Sequence, residues 1–202
     1  AVDPAGGAHE HEELGELLHD KARFAANNAQ VQRTQWLLEQ LPIPTIAAID
    51  GVCVGGGLGL ALACDFRVAT PRSRFAITPA KLGLVYSPAD TRRLVAVVGA
   101  ARARDLLLSV RMLDAAEASA FGLVSRPVAE GSLDVAIAEL SDTLLSMSAS
   151  ACAGIKRVLA HVTGDPGVDA HSARQAFEAA FESADFAEGA QAFLARRPPS
   201  FR

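Results

Sequence analysis

Three consecutive glycines, Gly55, Gly56 and Gly57, place the strongest constraint on how this chain folds. They follow an apolar, β-branched run at residues 45–54 and precede an apolar segment of helical length at residues 57–64. We expect a buried strand, a tight turn and a helix, because glycine lets the backbone turn sharply and leaves its N–H groups uncovered. The first N–H groups of a helix have no intrahelical partner, and the helix dipole favours negative charge beside them. The sequence therefore predicts a site that can stabilise an oxyanion.

Two other interpretations of the glycine turn fit the sequence less well. A nucleotide-binding loop requires GxGxxG followed by an acidic residue about 20 positions on, or GxxxxGK[ST]. Here Gly55, Gly57 and Gly59 alternate and no Lys-Ser/Thr pair follows, so the spacing fails. A purely structural close-packing turn would need a single glycine, and it explains three in a row less well.

The rest of the sequence alternates predicted strands and helices before it becomes helical only. Asp114, with Glu117 three positions on, predicts a capping box. The pattern favours an α/β fold. The predicted domains are a loop at residues 1–13, an α/β core at 14–130 and a helical region at 131–202. The predicted elements are helices at 14–41, 89–98, 101–110 and 114–122, strands at 45–54, 65–70 and 75–78, a short 3₁₀ turn at 79–84, and helices from residue 132 onward.

Composition excludes several classes of partner. A net charge of −4 with scattered basic residues argues against nucleic acid or an anionic membrane. No apolar run approaches the ~20 residues of a membrane span, and the first residues lack the pattern of a signal peptide, so we expect a cytoplasmic protein. The three cysteines form no CxxC pair, and His9 and His11 suggest metal only weakly, so we expect no metal site.

The glycine turn lies within a longer pattern. Residues 44–51 (PTIAAIDG) and 55–65 (GGGLGLALACD) resemble the signature of the enoyl-CoA hydratase/isomerase (crotonase) family. Later landmarks of the family follow in order, among them SRF at residues 73–75, KLGL at 81–84 and RRPP at 196–199. The resemblance implies a crotonase-like ββα spiral core with an α-helical C-terminal region. It also implies that the core is N-terminally incomplete, because the family's opening strands precede a motif that falls at residues 7–14.

The resemblance assigns roles to residues around the turn. The backbone N–H of Gly56 is one of two donors that grip the thioester oxygen of an acyl-CoA, and the second donor falls on Ala8. The two glutamates of the family's hydratases fall on Gly59 and on Pro79, neither of which is acidic. The predicted catalytic residues are Gly56, Tyr86 and Asp90, and the predicted substrate-binding residues are Ala8, Gly55, Gly57 and Pro79.

Tyr86 is predicted from a second, local resemblance. Residues 78–86 are similar to a stretch of methylmalonyl-CoA decarboxylase relatives, which pair a tyrosine there with the oxyanion hole. Loss of CO₂ from a malonyl-type thioester gives the enolate directly and needs no general base. The alternative is a purely structural role, in which Tyr86 is partly buried and its hydroxyl lies at the surface. Asp90 has an alternative as a first-turn helix charge, and Arg92 and Arg93 would meet either CoA phosphates or solvent.

Three functional hypotheses follow. The first is an enzyme that acts on an acyl-CoA through an enolate, as a hydratase, isomerase or decarboxylase. Coenzyme A then enters as part of the substrate, with no separate cofactor. The second is a non-catalytic acyl-CoA-binding or assembly subunit, and the third is a structural remnant. The resemblance implies a homotrimer or hexamer, whose interface the phenylalanines at positions 177, 181 and 186 would serve, unless they pack within one chain.

Overall fold

A computed structural model of the chain describes residues 20–201, and these divide into two compact units. The first unit holds residues up to Gln40 together with Ile46–Leu133, and the second holds Leu41–Thr45 and residues from Asp134 onward. The elements of the first unit are α1 (Lys21–Glu39), β1 (Ile46–Ile49), β2 (Val52–Val54), α2 (Gly56–Ala63), β3 (Phe66–Ala69), β4 (Arg74–Ala76), a 3₁₀ turn (Pro79–Leu82), α3 (Pro88–Ser109), β5 (Leu113–Asp114), α4 (Ala115–Ala120) and β6 (Arg126–Pro127). The helices that follow are α5 (Leu133–Leu145), α6 (Ala149–Val162), α7 (Ala170–Ala180) and α8 (Ala184–Leu194).

The strands form two small sheets rather than one. The first sheet has the order β1-β3-β6 and is parallel throughout, with Ile46 opposite Phe66. In the second sheet, of order β2-β4-β5, β4 pairs parallel with β2 and antiparallel with β5. Strands flanked by helices in this way confirm the predicted α/β class. The expectation of a buried strand is met only in part, because Ile49 of β1 is buried but Ala48 is exposed.

The single strand predicted at residues 45–54 is wrong. The strand breaks after Ile49, and the chain resumes in the other sheet at Val52. Gly51 has a φ of 131°, a conformation that residues with a side chain rarely adopt. Apolarity alone could not indicate the break, because the residues on both sides of it are equally suited to a strand.

Asp50 fixes this corner between the sheets. Its carboxylate accepts a hydrogen bond from Thr70 Oγ1 (2.7 Å) and pairs with the guanidinium of Arg72. Ser73 Oγ donates to the carbonyl of Ile49 at 2.9 Å. The corner between β1 and β2 is therefore tied to the turn between β3 and β4.

Arg67 anchors the C-terminal end of α2 within the core. Its buried guanidinium donates to the carbonyls of Ala61 (3.3 Å) and Cys64 (2.9 Å), and its Nε donates to the carbonyl of Leu123 at 2.7 Å. Those carbonyls carry the negative end of the helix dipole, which favours a cation there. Burial lowers the pKa of Arg67 from its usual value. The most deeply buried apolar side chains of this unit include Leu58, Val68, Phe75, Ile77, Leu94, Leu106, Leu113 and Leu123.

Helix α3 joins the two helices expected on either side of Gly99. The two segments form one element that bends at Gly99, where φ is 78°. Ser87 caps its N-terminus and accepts from the backbone N–H of Asp90 at 3.0 Å.

The capping box predicted at Asp114 and Glu117 is confirmed. Helix α1 is described from Lys21, and the earlier part of the predicted helix lies outside the described residues.

The second unit is helical. Ser148 caps α6, and the hydroxyls of Ser148 and Ser150 donate to Asp185 of α8 at 2.6 and 2.7 Å. The ring of Phe181 packs edge to face against those of Phe177 and Phe186 within the chain, yet each of the three remains more than half exposed. Among residues 20–201 no helix is long and apolar enough to cross a membrane.

Replacing Asp50 with Asn tests the corner. Hydrogen bonds from Arg72 and Thr70 lower the pKa of Asp50 from 3.8 to about 2. Because the folded-state pKa is lowered, the ionised carboxylate stabilises the fold above pH 3.8, and this contribution is lost as the pH falls to about 2. We expect Asp50→Asn to lower the melting temperature at pH 7 and the difference from wild type to vanish toward pH 2. The exposed Asp142, changed to Asn, is the control, and a difference unaltered by acid would contradict the assignment.

Candidate active site

The N-terminus of α2 is an open turn with free backbone donors. Gly55, the N-cap, has φ 55° and ψ −118°, and its N–H donates to the carbonyl of Ala76 at 3.1 Å. Intrahelical hydrogen bonding begins with the N–H of Gly59, which donates to the carbonyl of Gly55 at 3.0 Å. The N–H groups of Gly56 and Gly57 precede that bond, so the helix itself offers them no acceptor. A Cβ at either residue would meet nothing within 4 Å. Among residues 20–201, these two N–H groups therefore have no acceptor, and no side chain fills the Cβ positions of Gly56 and Gly57.

Pro79 lies in the 3₁₀ turn that follows β4, close to the glycine turn. The nearest atom to a Cβ added at Gly55 would be Thr78 Oγ1, at 3.8 Å, and Pro79 follows Thr78 as the first residue of the 3₁₀ turn. Strand β2 and the segment after β4 thus bring Gly55 and Pro79 to the same part of the unit. Pro79 has no ionisable group, so it can contact a ligand but cannot move a proton.

Gly59 lies one helical turn beyond the open N–H groups, beneath the side chain of Gln35. A Cβ at residue 59 would lie 2.2 Å from Gln35 Nε2 and 3.3 Å from Asp90 Oδ1. Gln35 is only 1% exposed. Residue 59 consequently has no room for a larger side chain while Gln35 remains in place. No motif in the sequence points to Gln35, because its role depends on how α1 packs against α2.

Asp90 is buried and held by three side chains. Its Oδ2 accepts from Ser87 Oγ (2.7 Å) and Gln32 Nε2 (2.9 Å), and its Oδ1 accepts from Arg93 Nη1 at 3.1 Å. Asp90 does begin a helix, as the alternative interpretation had it, but it is only 3% exposed. The structure therefore gives this carboxylate fixed partners rather than a solvated position.

Arg92 and Arg93 pair with Glu39 of α1. Arg93 Nη2 and Nε donate to Glu39 Oε2 at 2.7 and 3.0 Å, and Arg92 Nη2 donates to Oε1 at 2.7 Å. A solvent-facing Arg93 is thus a wrong expectation, since its side chain is 3% exposed. A buried charge requires such a partner. Together with the side chains around Gly59 and Asp90, these residues are called the α1–α3 polar cluster. Its members are Gln32, Gln35, Glu39, Ser87, Asp90, Arg92 and Arg93.

Tyr86 turns its hydroxyl inward. The ring packs on the core, and the hydroxyl is buried without a hydrogen-bond partner among the described residues. Burial, and then the negative charge of Asp90, raise the pKa of Tyr86 well above 10, although Arg93 opposes the shift. The phenol therefore stays protonated at neutral pH and can donate a hydrogen bond. Its catalytic role stays a prediction, but the surface position of the alternative interpretation is wrong.

The remaining predicted residues fall partly outside the described range. Ala8, His9 and His11 precede residue 20. Within residues 20–201, no three His, Cys, Asp or Glu side chains come together as possible metal ligands.

Known proteins give this site its context. The profile of the enoyl-CoA hydratase/isomerase family matches residues 10–202. The enoyl-CoA isomerase/hydratase fer4 of Mycosarcoma maydis is 37% identical over 169 residues, which is 81% of this chain and 61% of that protein. Mitochondrial methylglutaconyl-CoA hydratase of Rattus norvegicus is 48% identical over 88 residues, covering 44% of this chain and 28% of that protein.

Solved structures agree with the sequence relatives. An enoyl-CoA hydratase/isomerase family protein from Hyphomonas neptunium superimposes with a TM-score of 0.87 at 34% identity, covering 95% of this chain and 73% of that one. An enoyl-CoA hydratase from Bacillus anthracis gives a TM-score of 0.80 at 31% identity, covering 90% and 71%.

An α/β core with an open glycine turn at a helix N-terminus defines the class of protein. The chain belongs to the enoyl-CoA hydratase/isomerase family. It spans about three fifths of the length of curated relatives that it matches over most of its own length.

Alkaline titration tests the placement of Tyr86 without any mutation, because it is the chain's single tyrosine. We expect no tyrosinate absorbance near 295 nm as the pH passes 10, and its appearance only when the fold is lost, since burial opposes the charged form. The urea-unfolded chain, which should titrate near 10, is the control. Tyrosinate formed near pH 10 in a chain with native circular dichroism would show that the hydroxyl is not buried.

Proposed function

We propose that this chain binds an acyl-CoA, places the thioester oxygen at the N–H of Gly56, and stabilises an enolate there. The observation that carries the proposal is the N-terminus of α2, where the N–H groups of Gly56 and Gly57 have no acceptor within the helix and no described side chain lies within 4 Å of their Cβ positions. Membership of the family, whose named relatives include hydratases and an isomerase/hydratase of CoA thioesters, supports the substrate class.

The chemistry depends on charge that develops on the thioester oxygen. Each preorganised donor aimed at that oxygen contributes about 3–4 kcal/mol to the transition state. Gly56 supplies one donor, and the resemblance assigns the second to Ala8. Gly55, Gly57 and Pro79 line the bound thioester. The positive end of the α2 dipole adds to the same field.

The type of reaction follows from which acids are present. Residues 59 and 79 carry no carboxylate, and Gln35 fills the space at residue 59, so water addition by a pair of glutamates lacks its groups. Decarboxylation and isomerisation fit the residues better. In decarboxylation the C–C bond to the carboxylate breaks, CO₂ leaves, and the electron pair enters the enolate, which solvent then protonates. Tyr86 would orient the carboxylate with its hydroxyl, and in isomerisation Asp90 would move the proton.

A second candidate is a non-catalytic acyl-CoA-binding or assembly subunit. The uncharged residues at positions 59 and 79 favour it, since the oxyanion site is kept while proton-transfer groups are lost. A homotrimeric or hexameric assembly, a role in fatty acid metabolism, a cytoplasmic location and the lack of a separate cofactor belong to the same proposal and are supported by the resemblance.

Parallel assays separate these reactions. Purified chain is incubated with crotonyl-CoA and with methylmalonyl-CoA, and loss of each thioester is followed by chromatography. We expect turnover of methylmalonyl-CoA to exceed hydration of crotonyl-CoA, because residues 59 and 79 provide no acid. Binding of butyryl-CoA by calorimetry is the control for a competent site. Binding without turnover of either would favour the subunit, and no binding would contradict both candidates.

Replacement of Gly56 tests the oxyanion donor. Proline removes the N–H at the first helical position, which proline tolerates, whereas alanine keeps the N–H and meets nothing within 4 Å. We expect Gly56→Pro to lower the turnover number about 10²- to 10³-fold and Gly56→Ala to change it little. Melting curves establish that both variants fold. Equal turnover by the two variants would rule out Gly56 as the donor.

A further inference from the structure

The side chain of Gln35, on α1, occupies the position where a side chain on Gly59 of α2 would lie. Asp90 Oδ1 from α3 lies at the same point. Since Gln35 Nε2 and Asp90 Oδ1 lie 2.2 and 3.3 Å from one Cβ position, the two atoms are no more than 5.5 Å apart. The amide and the carboxylate therefore both lie next to Gly59.

This point is close to the proposed reacting atoms. An α-helix rises about 1.5 Å per residue, so residue 59 lies roughly 4.5 Å along the axis from Gly56. The α-carbon of an acyl chain is bonded to the thioester carbon whose oxygen would rest at Gly56. A group above Gly59 is thus at the distance at which a side chain can reach that α-carbon.

Asp90 has the capacity to act there. Its Oδ2 accepts two hydrogen bonds, from Ser87 and Gln32, while the Oδ1 that faces Gly59 accepts one, from Arg93. A carboxylate oxygen can accept two, so Oδ1 retains a lone pair among the contacts of residues 20–201.

The side-chain oxygen of Gln35, Oε1, is buried and lacks a hydrogen-bond partner among the described residues. An unpaired buried acceptor is costly and rare, and a merely space-filling residue at this point would be better apolar. An amide kept at such a cost is consistent with a polar role beside the carboxylate.

We propose that Gln35 is a positioning residue, which fills the space at the side-chain position of residue 59 and so adds to the hold of Ser87, Gln32 and Arg93 on the Asp90 carboxylate there. The proposal rests on the proposed function. Asp90 takes a proton from the α-carbon: the C–H bond breaks, its electron pair enters the enolate held at Gly56, and an O–H bond forms on Oδ1. Return of the proton completes the cycle. Helices α1 and α3 then provide the polar group that α2 lacks.

Exchange of the α-protons of butyryl-CoA in D₂O, followed by mass spectrometry, tests this step without requiring a net reaction. Two variants remove the amide from its place in different ways. Gln35→Met keeps the length of the side chain but removes its polar group, and Gly59→Ala puts a methyl group where the amide lies. Gln30→Ala, an exposed glutamine on the same helix, is the matched control.

We expect Gln35→Met and Gly59→Ala each to lower the maximal exchange rate about 10- to 100-fold, the effect of displacing a catalytic group by about 1 Å, with KM within about twofold of wild type. The double variant should be no slower than the slower single variant, because both changes remove one contact. Gln30→Ala should exchange at the wild-type rate.

The outcomes separate the inference from the function on which it rests. Folded Gln35→Met with wild-type exchange, or a double variant whose loss is the product of the single losses, would overturn the role of Gln35 alone. A wild-type chain that binds butyryl-CoA but exchanges no α-proton would overturn proton transfer by Asp90 and the role of Gln35 with it, whereas failure of the enolate site itself would show as no turnover of methylmalonyl-CoA.

Discussion

The buried guanidinium of Arg67 is the interaction on which the rest of the site depends. It satisfies carbonyls at the C-terminal end of α2 and joins them to the carbonyl of Leu123. The other end of the helix has no side-chain cap, since the N-cap is a glycine. A helix with a cation at one end and free N–H groups at the other presents its dipole to a ligand only where the glycines lie. Anchoring one end rigidly thus leaves the other end positioned and unfilled, which is what an oxyanion site requires.

The α1–α3 polar cluster accounts for the second distinctive feature of the site. Its two arginines and two carboxylates are paired with one another, so each charge of the cluster has a partner of opposite sign. Removing one partner from such a buried pair typically costs about 3–5 kcal/mol, which makes the cluster a strong determinant of how α1 lies against α3. Because α1 is placed in this way, Gln35 reaches Gly59. The lack of room for a side chain at residue 59 and the charge pairing farther along α1 are therefore two consequences of one packing arrangement.

The sequence predicts local features well and tertiary ones poorly. The glycine turn, the helix after it and the capping box of Asp114 are encoded within a few residues, and the structure has them. The break at Gly51 lies inside an apolar run and depends on two sheets that only the folded chain defines. Gln35 and Arg93 belong to polar helices whose buried side is set by residues far away in sequence. The resemblance points to Tyr86, yet the inward direction of its hydroxyl depends on the core beneath it.

The central claim is that the thioester oxygen of an acyl-CoA is polarised by the N–H of Gly56. The most direct measurement is the ¹³C NMR spectrum of butyryl-CoA labelled at the thioester carbon, free and at saturation with the chain. A hydrogen-bonded, polarised carbonyl predicts a downfield shift of that resonance on binding, retained in Gly56→Ala and lost in Gly56→Pro. A saturated complex whose carbonyl resonance stays at the position of the free thioester would contradict the account.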